Sequence, residues 1–562
     1  MENTILSPVM LWQDFDANEP LRESKTGEEV YGDVVYSDIY FSGRRTSSGN
    51  VRVYGVLARS KTAAKKSQKG AILILPDLCD TVNLEVINIY VNQGYTVLMV
   101  DYRGEWPGCE NYTKYPDCIS YANYKNVLDR VDSVPTNAKQ TCWYEWVAVA
   151  KYAVSFLSSQ LDIDTIGVLG LRNGANVGWI LCGTDARVSC FVPLFGAGWR
   201  GYKGVYKNAE GDLIPDDEKL KFLAGIDAHA YAQYVKCPVL YMTATNSPDF
   251  DFDRATDTLY RISPETKCYA NFTPTLRDVL NRESRRNIDL FFAKNLLNFK
   301  AVFPEEPVLT AMVEDGVVSC ELELDYSDIK RPKNITVYIA EDGEDPSTRE
   351  WKTATMLKGV REDKKSFTYT ISGNCSFITM FAVVEYRSGV TLSSKVVSKK
   401  TVNQAARPQK LLYSTKDKLG TFTLYNMRDR ALGGIFFEKT DGLNYVEGGS
   451  NISGIYSPYG LISYKLNNRT VSLNDGSILF LDVYCEEFTR LKLVLMSKKG
   501  SEESEDYVAT VDIKGGSIWQ KISVKANDFK SDLRVSIKDY SAVYALRLET
   551  ETTCVFNNLL IV

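Results

Sequence analysis

Histidine is nearly absent from this chain of 562 residues, which holds only His229. Histidine is the side chain whose ordinary pKa lies closest to neutrality, so any mechanism that needs an imidazole base rests on that one position. No run of about 20 consecutive apolar residues occurs, so no helical membrane span is expected. The twelve cysteines form no CxxC pair and no metal-type cluster, and neither a metal nor another cofactor is expected. Cys190, Cys237 and Cys375 sit in apolar, strand-like runs and read as buried, reduced thiols. A Cys109–Cys118 disulfide would require an oxidising compartment. An excess of positive charge is also missing: 66 Lys and Arg face 71 Asp and Glu, for a net charge of −5. The basic residues fall in short groups such as Lys65-Lys66 and Lys399-Lys400, so nucleic acid is not an expected partner. Residues 1–20 have neither a basic leader nor an apolar core, and the expectation is a cytoplasmic protein, extracellular only if a leader precedes this sequence.

What is present is a globular composition, 44% hydrophobic and 24% charged, in a chain long enough for two to four compact units. From about residue 33 to 299 strand-like and helix-like segments alternate, which argues for a mostly parallel sheet flanked by helices. Strands are expected at 51–57, 71–75, 96–100, 165–169, 188–194, 239–243 and 267–272. The clearest helix is 143–160, where Trp143, Trp146, Val147, Ala150, Val154 and Leu157 recur along one face. A second helix at 287–299 closes this unit. After Pro304 and Pro307 helical periodicity gives way to strand-like segments at 320–324, 334–340, 367–371 and 377–386. A polar stretch, 399–410, reads as a linker into a third, again all-β unit. The expected division is therefore 1–303, 304–400 and 408–562.

The segment Thr165 to Asn176 runs from an apolar strand through a glycine-flanked turn, Gly170-Leu-Arg172-Asn-Gly174, into a helix. That is the layout of a nucleophile elbow, in which small residues allow a sharp strand-to-helix turn and the central side chain stands at the sheet edge. Together with Val100-Asp-Tyr-Arg-Gly104 and Tyr231-Ala-Gln-Tyr-Val-Lys-Cys-Pro-Val-Leu240, the elbow resembles α/β-hydrolases of the acetyl-esterase and acylaminoacyl-peptidase type over roughly residues 30–300. The segment 387–394 resembles the end of an immunoglobulin-like or fibronectin-III-like sandwich. Ile518 to Val524, Asp528-Phe529 and Phe556 to Ile561 resemble a galactose-binding-like, carbohydrate-binding-module-like jelly roll.

The hydrolase resemblance implies a Ser-Asp-His triad in chain order, and none of its positions is filled. Arg172 stands at the nucleophile position, and a guanidinium cannot attack a carbonyl. Ser247 stands at the acid position, with Asp249, Asp251 or Asp253 as possible stand-ins. The base position, in 273–278, holds no histidine. His229 lies instead in an apparent helix at 227–235 and reads as structural. Pro76-Asp77 replaces the His-Gly that such enzymes commonly carry at the oxyanion-side loop, and a carboxylate there opposes a developing oxyanion. Cys79 lies nearby without a base to activate it and reads as structural.

No catalytic residue is therefore expected, and the leading expectation is a pseudo-hydrolase that binds a carbohydrate, another protein or copies of itself. The alternatives are an active esterase or peptidase with rearranged catalytic residues and a purely structural, self-assembling subunit. The vestigial cleft is assigned to Arg172, Asp77, Ser247, Asp249 and Trp106, with Arg172 either paired to Asp77, Asp249 or Asp251 as a plug or left to dock an anion. The aromatic loop 103–141 is expected to lie over that cleft. In the third unit Tyr445, Tyr456 and Tyr459 are the candidates for stacking on sugar rings, while Trp519 is read as a core residue.

Overall fold

The structure is a computed structural model, and it describes residues 8–61, 70–80, 82–202, 207, 216–247, 252–274, 280–325, 327, 331–341, 346, 349–358, 362–371, 375–401, 411–413, 423–424, 444–448, 452–456, 460–467, 471, 473–499 and 503–562. All seven strands expected in the first unit are present. In chain order they follow an amino-terminal pair, β1 (Ser24–Tyr31) and β2 (Val34–Thr46), and are β3 (Gly49–Ser60), β4 (Gly70–Leu75), β5 (Thr96–Asp101), β6 (Thr165–Leu171), β7 (Val188–Leu194), β8 (Val239–Ala244) and β9 (Cys268–Thr273). The spatial order is β1-β2-β3-β5-β4-β6-β7-β8-β9, antiparallel up to the β3–β5 pair and parallel from β5 onward. This is the α/β-hydrolase arrangement.

Helices α1 (Leu84–Val91), α2 (Cys142–Ser159), α3 (Asn173–Thr184), α4 (Asp217–Gly225), α5 (Phe252–Leu259) and α6 (Arg282–Leu297) join the strands. The six apolar residues of the expected 143–160 stripe are all buried, in a helix capped by the Thr141 side chain. Full burial of the Val147, Val154 and Leu157 side chains contributes about 1.5–3 kcal/mol each relative to exposure. The 227–235 segment is not one helix but two 3-10 turns, Ala228–Ala230 and Ala232–Tyr234. Asp227 accepts the His229 backbone N–H and starts the first turn, and Tyr231, whose ring is buried, separates the two.

The sheet does not stop where the first unit was expected to end. Beyond it lie β10 (Val308–Glu314), β11 (Val317–Glu323), β12 (Pro332–Glu341), β13 (Lys352–Thr353), β14 (Thr355–Met356), β15 (Lys364–Thr370), β16 (Phe377–Tyr386), β17 (Thr391–Ser393) and β18 (Val397–Lys400). Ser393 of β17 pairs with Ala270 of β9, so β17, β16, β12 and β13 extend the hydrolase sheet. An unpaired strand edge costs hydrogen bonds, and β9 meets that cost by taking β17 as its neighbour. Asn287 clamps the junction, donating through Nδ2 to the Thr391 carbonyl at 2.5 Å and accepting the Thr391 N–H at 3.0 Å. Strands β10, β11, β15 and β14 form the second layer of this sandwich, and its apolar residues belong to the same core as α6 and the parallel strands.

The last unit is also a β-sandwich. One sheet runs through Asn444–Glu447, Ser453–Tyr456, Cys554–Ile561, Ile478–Cys485 and Ile518–Lys525, and the other through Thr423–Leu424, Leu461–Ser463, Val543–Thr550, Thr489–Lys499 and Glu503–Ile513. Its core is a separate cluster built around Leu479, Leu481, Leu493, Leu548 and Phe556.

Candidate functional site

The elbow backbone is intact. Arg172 adopts φ +50°, ψ −106° between β6 and α3, a strained conformation for a residue with a Cβ. The turn also needs its glycines: a Cβ on Gly174 would lie 2.1 Å from the Leu75 carbonyl oxygen, and one on Gly170 would lie 2.6 Å from the Ala175 Cα. The local sequence therefore builds an elbow and places arginine on it.

The Arg172 side chain is buried, with Nη1 3.8 Å from Asp77 Oδ2, and its guanidinium carbon lies 5.9 Å from the centre of the Phe195 ring. Asp77, on the loop after β4, accepts two hydrogen bonds through Oδ1: from the Asn173 backbone N–H at 3.2 Å and from Asn173 Nδ2 at 2.7 Å. The N–H of the residue after the nucleophile is one of the two oxyanion donors in this fold. Here it is directed at a carboxylate.

The network continues outward through residues the sequence reading did not single out. Arg200 donates through Nη1 to Asn173 Oδ1 at 2.5 Å and through Nε to Asp132 Oδ1 at 2.7 Å, and it lies over the Trp143 ring. Burial alone would lower the Arg200 pKa, but the carboxylates of Asp132, Asp227 and Asp77 outweigh it and hold the guanidinium above its ordinary value. Charges of alternating sign, Asp132, Arg200, Asp77 and Arg172, thus run along the end of the sheet with Asn173 joining them. The position of Asn173 beside Arg172 was the only sequence signal for it. Asp132 and Arg200 lie 68 residues apart, and no local pattern connects them.

His229 is buried, stacks on Trp199 with ring centres 4.0 Å apart, and holds Nδ1 3.1 Å from Asp227 Oδ1. Asp227 also accepts the backbone N–H groups of Trp199 and Arg200. Burial pushes the Asp227 pKa up, but the His229 imidazole and the Arg200 and His229 backbone N–H groups more than offset it, leaving the carboxyl below its ordinary value. The imidazole therefore stands beneath the 195–200 loop, with Asp227 as its carboxylate neighbour.

The acid position is covered. Ser247 is fully buried. Next to it, Asn246 donates through Nδ2 to the Arg349 carbonyl at 2.8 Å and accepts from Trp351 Nε1 at 2.9 Å. Arg349 Nη2 in turn meets Asp253 Oδ2 at 2.8 Å, with both side chains buried. Asp253 is thereby engaged by the second unit. Asp249 and Asp251, and residues 275–278 of the expected base loop, lie outside the described residues.

Trp106 is half-buried and stacks on Tyr124, with ring centres 5.4 Å apart, above the Arg103 guanidinium. Arg103 donates to the Leu78 carbonyl, so the aromatic loop is tied to the same β4 loop that carries Asp77. Cys79 is exposed as a residue, but neighbouring atoms partly desolvate its thiol, which together with the Asp77 and Asp80 charges pushes its pKa up. Cys109 and Cys118 are both free thiols.

In the third unit Tyr456 is half-buried on Ser453–Tyr456, Tyr445 pairs with Ile455, and Tyr459 lies outside the described residues. Trp519 corrects the sequence reading. Ile522 and Val524 face the core, so the alternation turns Trp519 to the other face, where its ring lies 5.6 Å from that of Tyr484 and against Gly448 and Gly454. The stretch is a strand as expected, but the phase of its two faces was set by the partner sheet.

No family profile matches the chain, and no curated protein does. Among solved structures the chain is similar to acetyl xylan esterase 1 from Thermoanaerobacterium sp., at 15% identity over 50% of this chain and 90% of that one, with a TM-score of 0.36. It is similar to the acetyl xylan esterase from Paenibacillus sp. at 13% identity, 50% and 91% coverage and a TM-score of 0.38. An acylaminoacyl peptidase in complex with a chloromethyl ketone matches at 12% identity, 50% and 51% coverage and a TM-score of 0.35.

Proposed function

We propose that this chain is a non-catalytic protein of hydrolase fold that acts by binding or scaffolding. One observation carries the reading: the Asn173 N–H, the donor that would stabilise an oxyanion, is given to the Asp77 carboxylate. A negative charge at that spot opposes the charge that acyl transfer develops, and removing an oxyanion donor already costs roughly 100- to 1,000-fold in turnover. Arg172 supplies no nucleophile, and a serine without a base is a weak one.

The second reading is an active esterase or peptidase using rearranged residues, the activities named for the similar solved structures. Both readings are tested by incubating the full chain with short acyl esters and a fluorophosphonate probe. The non-catalytic reading expects no turnover and no labelling, and expects Arg172→Ser to stay silent. Labelling of one serine near the elbow, with turnover lost on its replacement, would establish the second reading instead.

For the ligand, a carbohydrate is the class favoured by the third unit. Trp519 and Tyr484 present neighbouring rings on an outer sheet face, and the Asp482 carboxylate and Asn558 amide pair at 2.7 Å on strands of the same sheet. Aromatic faces of this kind combine apolar area with a polar surround.

A further inference from the structure

Away from the elbow, a groove of about 810 Å³ opens between the first turns of α6 and the turn joining β16 to β17. Its size falls within the range of small-ligand sites, but its walls are charged rather than apolar. Five cationic side chains line it: Arg282, Arg285 and Arg286 from α6, Lys333 from β12, and Arg387 from the turn. Three acids also face it, Glu283, Asp289 and Glu385. Two of these have polar neighbours, since Asp289 accepts from Gln93 Nε2 at 3.0 Å and Glu385 lies 3.9 Å from Lys333 Nζ and accepts from Asn334. Among the described residues Arg282, Arg286 and Arg387 form no ion pair.

Two further features set this groove apart from an ordinary basic surface. Tyr386 lines it and is 2% exposed, yet its hydroxyl has no hydrogen-bond partner among the described residues, and the same holds for the buried Ser388 hydroxyl in the adjoining turn. Burial raises the Tyr386 pKa, so the hydroxyl keeps its proton and remains a donor. A buried hydroxyl without a partner is destabilising, so the wall of the groove is not packed for stability alone. The walls are also fixed in place. Asn287 clamps α6 to Thr391 through both of its amide atoms. Arg286 lies over Gly389, where a Cβ would come within 2.9 Å of Nη2. Gly389 has φ +86°, so glycine serves both the turn and the approach of the guanidinium.

We propose that this groove binds a small, multiply charged oxyanion, held by Arg282, Arg286 and Arg387. Guanidinium groups suit this role because their planar forks match phosphate and carboxylate oxygens. The anionic groups could be phosphates or carboxylates, and the choice of probe separates these sources.

The test is titration calorimetry on the full chain at fixed ionic strength, with tripolyphosphate and citrate as probes. Saturable binding of at least one is expected, and the tighter of the two identifies the source. Arg286→Gln and Arg387→Gln should each weaken it about tenfold, the scale of losing a charge-assisted hydrogen bond. Arg286→Lys should recover part of the loss. Arg490→Gln, which removes an exposed arginine paired with Asp512 in the third unit, should leave binding unchanged. Absence of saturable heat with both probes, equal binding by the groove variants and wild type, or an equal loss in Arg490→Gln would each overturn the proposal. Arg387 is exposed, so its variant reports on binding even if changes on α6 disturb folding.

Discussion

Replacing Arg172 with alanine should destabilise the body formed by the first two units by about 2–3 kcal/mol. Breaking a buried ion pair by deleting one partner costs about 3–5 kcal/mol, because a charge is left uncompensated. Two details of the structure move the expectation toward or below the lower end. The Arg172–Asp77 separation is 3.8 Å, longer than a direct hydrogen bond, and Asp77 keeps both Asn173 donors after the arginine is gone. Alanine also retains the backbone strain, since φ +50° is unfavourable for any residue with a Cβ. Arg172→Gly should therefore be more stable than Arg172→Ala by about 1 kcal/mol, after relief of strain is set against the extra entropy of glycine in the unfolded chain. In a scanning-calorimetry experiment on a body of this size, 2–3 kcal/mol corresponds to roughly 3–4 °C in Tm. Combining Asp77→Asn with Arg172→Ala should cost less than the sum of the single changes, by about 1–3 kcal/mol for side chains in one network. An Arg172→Ala midpoint equal to wild type, or strict additivity with Asp77→Asn, would refute the pairing. If the unchanged midpoint came with loss of binding to a carboxylated or phosphorylated ligand, Arg172 would be an anion site and not a plug.

Burial pushes Asp101 up to about 6, against the opposing pull of the Thr113 and Gly104 backbone N–H groups and the Arg103 charge. The folded protein then holds this proton to higher pH than the unfolded chain does, so the contribution of Asp101 to stability falls as pH rises from about 4 to about 6, by roughly 3 kcal/mol. Asp101→Asn can keep one oxygen for both N–H donors, which converge on Oδ2, and should flatten that part of the stability–pH curve; an unchanged slope in denaturant titrations at pH 4, 5 and 6 would contradict the assignment. In the third unit, a glycan bound by the wild-type chain in an immobilised-glycan screen should lose most of its signal in Trp519→Ala. Retention of that signal would move the site away from the outer sheet face.

The alternation of strands and helices, the buried stripe of α2 and the glycine-framed elbow were legible because each is written in local spacing. So were the arginine at the elbow and the single histidine, since both are facts of composition. The hydrolase resemblance also implied that Asp77 stands at the oxyanion-side loop. It did not show that the Asp77 carboxylate takes the Asn173 N–H, because that contact joins residues 96 positions apart. The same limit hid Arg349 and Trp351 over the acid position, the pairing of β17 with β9, and the outward phase of Trp519. Sequence periodicity reports that a segment has two faces, whereas the partner across the sheet decides which face is buried. Local pattern set the elements and put arginine on the elbow, and only the tertiary structure brought distant charges together around that elbow and along the groove beside α6.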